Sequence, residues 1–153
     1  MVDTKEALLK YLSSQKVMAL ATFGNHVESC TVYFSVDKDL NFFFISNPET
    51  EHCKNIAINP KVAASIADDG QDVLDKKIGV QIKGIAEELS SIETVLAALT
   101  FWNKANFISD EPISVEQMKK KVMSSRAYKI KPTEIKFFNE ALFSPGGYDI
   151  LVP

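Results

Sequence analysis

Few of the residues able to do acid–base, nucleophilic or ligand chemistry are spaced to act together. The two histidines, His26 and His52, and the two cysteines, Cys30 and Cys53, show no metal-ligand spacing, so no zinc site or disulfide scaffold is expected. The cysteines read as free thiols in a buried strand and a helix. A Ser–His or Cys–His pair would need one of the two imidazoles, and His26 falls at a hairpin tip where solvation is expected. The adjacent carboxylates Glu49/Glu51, Asp68/Asp69 and Glu87/Glu88 fall in loops and helix ends, where charges are usually solvated. Neither a G-x-G-x-x-G run nor a P-loop is present. One run does gather donors: Ser46-Asn-Pro-Glu-Thr50-Glu-His52, where a strand gives way to a helix. Free backbone N–H groups and the positive end of the helix dipole meet there, and two hydroxyls and an imidazole can add donors to an anion such as a phosphate. The same residues also fit a plain cap, with Asn47 or Thr50 satisfying the first turn and Glu49 and Glu51 complementing the dipole. A second constellation is the polar and aromatic face of two strands: Ser29, Thr31, Tyr33 and Ser35 on one, Gln81 and Lys83 on the other. It suits a solvated exterior, or a subunit interface holding a flat ligand.

The elements that must position these residues belong to a chain of 153 residues, the length of one domain. That domain divides into an N-terminal helix over 3–15, a barrel core over 17–138 and a C-terminal tail over 139–153. Apolar residues make up 46% and charged residues 24%, the balance of a folded globular chain. The net charge of −3 lacks the basic excess of a nucleic-acid-binding surface. Sixteen of the seventeen basic residues are lysine, so Arg126 alone can supply a guanidinium fork. The start Met1-Val-Asp-Thr-Lys-Glu6 has no signal-peptide layout, and the longest apolar runs, such as Val17–Ala21, fall far short of the ~20 residues that span a bilayer. A cytoplasmic protein with no membrane role is expected.

Asp3 and Glu6 have capping-box spacing, and Ala7, Leu8, Tyr11 and Leu12 then share a helix face. Val17–Phe23 is apolar on both sides and reads as a strand covered on both. Gly24-Asn25 signals a two-residue hairpin into a strand over Val27–Val36 with alternating faces. Asp37-Lys-Asp39 turns the chain into Leu40–Ser46, which completes a three-strand meander. Phe42, Phe43 and Phe44 cannot all face one way, so both sides of that strand must be covered, which favours an interface. A short helix is expected from the Asn47-Pro48 pair to Asn59-Pro60. Strands follow over Lys61–Asp68, with Val62, Ala64 and Ile66 alternating, and over Ile78–Glu87, with Val80, Ile82 and Ile85 near one surface. Ser90/Glu93 and Ser114/Gln117 open two helices, the first carrying Phe101 and Trp102 as packing residues. Arg126–Ile130 and Thr133–Phe138 read as two last strands. The fold class is α+β: a mostly antiparallel, six- to seven-stranded split β-barrel with peripheral helices.

The run Ser46-Asn-Pro-Glu-Thr50-Glu-His52-Cys-Lys-Asn-Ile-Ala-Ile-Asn-Pro-Lys-Val62, with the strand pair before it, resembles the pyridoxamine 5'-phosphate oxidase-like FMN-binding split barrels. Val80-Gln-Ile-Lys-Gly-Ile-Ala-Glu-Glu-Leu-Ser90 is similar to the family's strand with a Gly-x-Ala-Glu ending, and Ala127–Phe137 to its final strand pair. The resemblance covers roughly residues 5–140. It implies a homodimer with FMN at the subunit interface. The flavin ring would lie along Ser29, Thr31, Val32 and Tyr33 and near Ile45 and Ser46. Its phosphate would meet Thr50 and His52, and Gly79 to Gln81 would approach from the partner.

Two departures stand out. Ser29 occupies a place where the family commonly has a base, and Glu51-His52 replaces an Arg-Lys pair. The C-terminal arginine pattern that holds substrate in true pyridoxamine phosphate oxidases is missing, with Phe143-Ser-Pro-Gly-Gly147 near that place. That specific activity is therefore not expected; the chain looks closer to small, uncharacterised members. The resemblance implies a flavin-dependent oxidoreductase acting on a small molecule, in which hydride transfer belongs to the cofactor and no residue need be a catalytic base. The alternatives are a non-catalytic binder of haem, a deazaflavin or another planar ligand, for which His52 or His26 are candidate haem ligands, and a dimer that has lost its cofactor.

Overall fold

The computed structural model describes residues 2–94, 96–97, 116, 120 and 124–153. Helix α1 (Thr4–Ser13) starts where the sequence places it: Asp3 accepts a hydrogen bond from the Glu6 N–H at 3.0 Å. Leu8 and Leu12, one turn apart, are fully buried, and Tyr11 stacks on Phe137 with ring centroids 5.9 Å apart. The strands are β1 (Val17–Phe23), β2 (Val27–Tyr33), β3 (Ser35–Val36), β4 (Phe42–Ser46), β5 (Lys61–Ala67), β6 (Ile78–Glu88), β7 (Arg126–Asn139) and β8 (Tyr148–Leu151), with α2 (Glu51–Ile58) between β4 and β5.

All pairings are antiparallel, in the order β2-β1-β5-β6-β7-β4-β3, with β8 added to β7. β2 pairs with β1, whereas β3, one residue further along the same strand, pairs with β4. The chain itself therefore closes the sheet into a split barrel at Phe34. Met18, Leu20, Phe34, Phe42, Phe44, Ile66, Val80, Ile130, Ile135 and Phe137 fill it. Burying each such side chain contributes about 1.5–3 kcal/mol.

Several expectations are corrected. The meander is divided, because the alternation of 27–36 slips at Phe34 and buries Ser35 next to it. Three residues, not two, link β1 to β2, since Phe23 pairs with Val27. There Gly24 is required by crowding: a Cβ would lie 2.3 Å from the Asn55 side-chain oxygen. α2 begins at Glu51, because Asn47–Thr50 forms a separate turn closed by Thr50 N–H on the Asn47 carbonyl at 3.0 Å. Ile85 is 40% exposed, as β6 keeps strict alternation and buries Gly84 and Ala86. Residues 126–139 are one strand, not two. β7 absorbs Pro132 at a bulge, where the register with β6 shifts and where β4, whose pairing ends at Ile130, no longer needs an N–H donor. Within the tail, β8 returns along β7, and Asp149 accepts a hydrogen bond from the Thr4 hydroxyl at 2.6 Å. The Ser90/Glu93 capping box forms in both directions, at 3.3 and 3.2 Å. Phe101, Trp102 and the Ser114/Gln117 helix lie outside the described residues. No helix among the described residues is long and apolar enough to cross a membrane.

Candidate functional site

Ser46 ends β4, and the turn through Asn47 brings α2 back beside it. The Ser46 hydroxyl oxygen lies 2.9 Å from His52 Nε2, and the Thr50 Oγ1 lies 3.4 Å from the same nitrogen. Thr50 occupies the N-cap position but makes no side-chain cap bond; its hydroxyl donates to the Asn47 carbonyl at 2.8 Å. Asn47 in turn accepts from the Glu49 N–H at 2.9 Å, within the turn rather than the helix. Asn47 thus caps the turn that leads into α2, whereas Thr50, at the N-cap of α2 itself, makes no side-chain cap bond. Towards Ser46 the ring nitrogen donates or accepts according to its tautomer, and the Thr50 contact, whose hydroxyl hydrogen is already spent, is bonded only in the Nε2–H form. In that form the Ser46 hydroxyl hydrogen is left over; in the other it is spent on the ring and the Nδ1–H is left over. Burial lowers the His52 pKa, so the ring is neutral at neutral pH. It packs 6.1 Å from Phe44, which stacks on Tyr128 at 5.1 Å. Burial, followed by a hydrogen bond with the Cys53 thiol, pushes the Tyr128 phenol far above its ordinary value, and it stays protonated.

The other expected residues lie elsewhere. Ser29, Thr31 and Tyr33 are exposed along the outer face of β2, whereas Val32 is 8% exposed and points into the core. Ser29 and Gln81 line a concave surface of about 510 Å³ floored by Ala19, Ala21, Ala63 and Ser65. Gly79 and Gln81 line an adjoining one of about 400 Å³. Within one chain, then, Ser46, Thr50 and His52 come together, and Ser29, Gly79 and Gln81 occupy a separate face. Ile45 joins Phe43 against Leu89, Ala97 and Ala127, so the second side of β4 is partly covered by this chain's own residues. His26 is exposed at its hairpin.

Two positions were missed from the sequence. Ser65 faces outward beside Gln81, as its odd position in β5 already implied. Arg126 pairs directly with Ser46 across β4 and β7, eighty positions away in the chain, and only the strand order brings them together. Its rarity was the available signal. Among the described residues no group of His, Cys, Asp and Glu could hold a metal ion.

The sequence model described as "Pyridoxamine 5'-phosphate oxidase" matches residues 4–139. No curated protein sequence is matched. Among solved structures, the conserved hypothetical protein Rv2991 from Mycobacterium tuberculosis superposes with a TM-score of 0.76 at 16% identity, covering 91% of this chain and 86% of that one. A protein from Listeria innocua, provisionally described as a pyridoxamine 5'-phosphate oxidase, gives 0.66 at 19%, covering 90% and 99%. HutZ, the haem storage protein from Vibrio cholerae, gives 0.66 at 14%, covering 83% and 89%. At these identities the likeness is one of fold.

Proposed function

The chain belongs to the pyridoxamine 5'-phosphate oxidase family, and on that premise we propose that it binds FMN and acts as a flavin-dependent oxidoreductase on a small molecule. The observation that carries this reading is the Ser46–His52–Thr50 group beside an α2 whose N-cap side chain makes no cap bond. Its donors suit a phosphate: the one hydrogen left over by the Ser46–His52 pair, from the hydroxyl or the ring according to the tautomer, and the N–H groups of the helix start. Bound flavin supplies the hydride chemistry. The chain's own residues bind and orient it: Ser46, Thr50 and His52 at the phosphate, and Ser29, Thr31 and Tyr33 along the ring. Gly79 and Gln81 occupy a separate face of the same chain, which suits a site completed by a second copy. The outer face of β1 and β2 supports such a homodimer, since Val17 is 42%, Phe23 48% and Val27 63% exposed.

A haem or another planar ligand on the same barrel is a second reading, favoured by the neutral imidazole of His52, the form that ligates metal. Visible spectra before and after incubation with FMN separate the two. A persistent two-band flavin spectrum, with affinity lowered by the double substitution Thr50→Ala/His52→Ala, is expected. A haem-type band would move the assignment to the second reading. No colour in either sample would leave a barrel without a cofactor, and unchanged FMN affinity in the double variant would sink the phosphate site.

A further inference from the structure

The Ser46, Thr50 and His52 group carries no charge, because burial holds His52 neutral and the other two are hydroxyls. A flavin phosphate carries about −1.5 to −2 at neutral pH, as phosphate monoesters do, and neutral donors alone compensate it poorly. The bases expected on the second strand and in the turn are absent; Ser29 and Glu51 stand there. The chain's single arginine answers this deficit by position. Arg126 is the direct antiparallel partner of Ser46, so the two side chains leave the sheet on the same face, with Cβ atoms ~4.5–5.5 Å apart. It is half-buried, and one guanidinium nitrogen, Nη1, donates to the Ser125 carbonyl at 3.0 Å. Counting partners among the described residues, four of the five N–H donors of the guanidinium remain. The ion pairs among the described residues are Lys54–Glu49 and Lys83–Glu134, so Arg126 has no carboxylate within 4.0 Å there. Glu88, the cross-strand partner of Tyr128, is exposed on β6.

We propose that Arg126, reaching across the β4–β7 ladder beside Ser46, is the cation that holds the flavin phosphate at the Ser46–His52 junction. The proposal rests on the flavin reading and relocates the phosphate's charge partner from the turn to the far strand. A guanidinium suits the task because its planar fork meets two phosphate oxygens at once.

Titrating FMN and riboflavin, which lacks the phosphate, into wild type, Arg126→Gln and Arg126→Lys by flavin fluorescence tests it. Arg126→Gln is expected to weaken FMN about 10- to 100-fold, the range for loss of a charged hydrogen bond, while riboflavin changes less than about 2-fold. Arg126→Lys should recover part of the FMN affinity, since it restores charge without the fork. Riboflavin binding also reports that each variant retains its barrel. If wild type prefers FMN to riboflavin and Arg126→Gln keeps that preference, the role of Arg126 is overturned and the flavin reading stands. If wild type shows no preference for FMN, the phosphate reading and the role of Arg126 fall together.

Discussion

His52 connects a residue's burial to a measurable pH dependence. Desolvation lowers its pKa below the ordinary 6.5, so as pH falls the unfolded chain takes up the proton before the folded one does. The stability associated with neutral His52 is therefore complete above about 6.5 and declines as pH drops below it towards the lower folded value. Urea midpoints of the wild type should fall through that window more steeply than those of His52→Gln. Parallel profiles would mean that the ring is solvated and that its bonds to Ser46 and Thr50 do not hold it. Ser46 and Thr50 matter at the same scale, because the Thr50 hydroxyl is spent on the turn while the Ser46–His52 pair keeps one hydrogen for a further acceptor. Arg126 shows how a residue of unremarkable local context takes its meaning from the strand opposite.

At the scale of elements, the β1–β2 link and α2 are locked together through one close approach. The Asn55 amide donates to the buried Thr22 hydroxyl at 3.1 Å, which fixes its oxygen against Gly24. Gly24→Ala should cost about 1–3 kcal/mol by overpacking, and most of that penalty should vanish in an Asn55→Ala background. A double-mutant cycle by urea denaturation reads the coupling; additive costs would show that the link moves independently of α2. Gly84 has an analogous role where β6 meets the bulge of β7, since a Cβ there would lie 2.8 Å from both the Ile130 side chain and the Lys131 carbonyl. The first sets α2, which carries His52, against the β1–β2 link, and the second sets β7, which carries Arg126, against β6.

At the scale of the molecule, the outer face of β1 and β2 differs from the rest of the barrel. Alanines and serines floor a broad concavity there, and Val17 and Phe23 remain half exposed at the two ends of β1. These exposed apolar side chains, beside a face rimmed by Lys83, Glu134 and Lys136, are what the proposed homodimer would cover. Sedimentation at micromolar concentration is expected to give a dimer for the wild type and a monomer for Val17→Glu/Phe23→Glu, with FMN affinity lost alongside. A monomeric wild type would rule out any site shared between two chains.

By itself the sequence determined the elements whose signals are local. The capping box of α1, the alternation of β5 and the strand-to-helix change at Ser46–His52 each depend on neighbours a few residues apart. The family resemblance was legible for the same reason, as a run of short motifs in a fixed order. What periodicity could not carry was strand order and register. The slip at Phe34, the bulge at Thr133 and Pro132 within β7, and the return of β8 are settled by pairing between distant segments. That pairing divided the expected meander at Phe34 within the split barrel that was expected. It also covered Phe43 with this chain's own residues and set Arg126 beside Ser46. A one-residue change of register reverses every side chain on a strand, and only the packed core fixes which register wins.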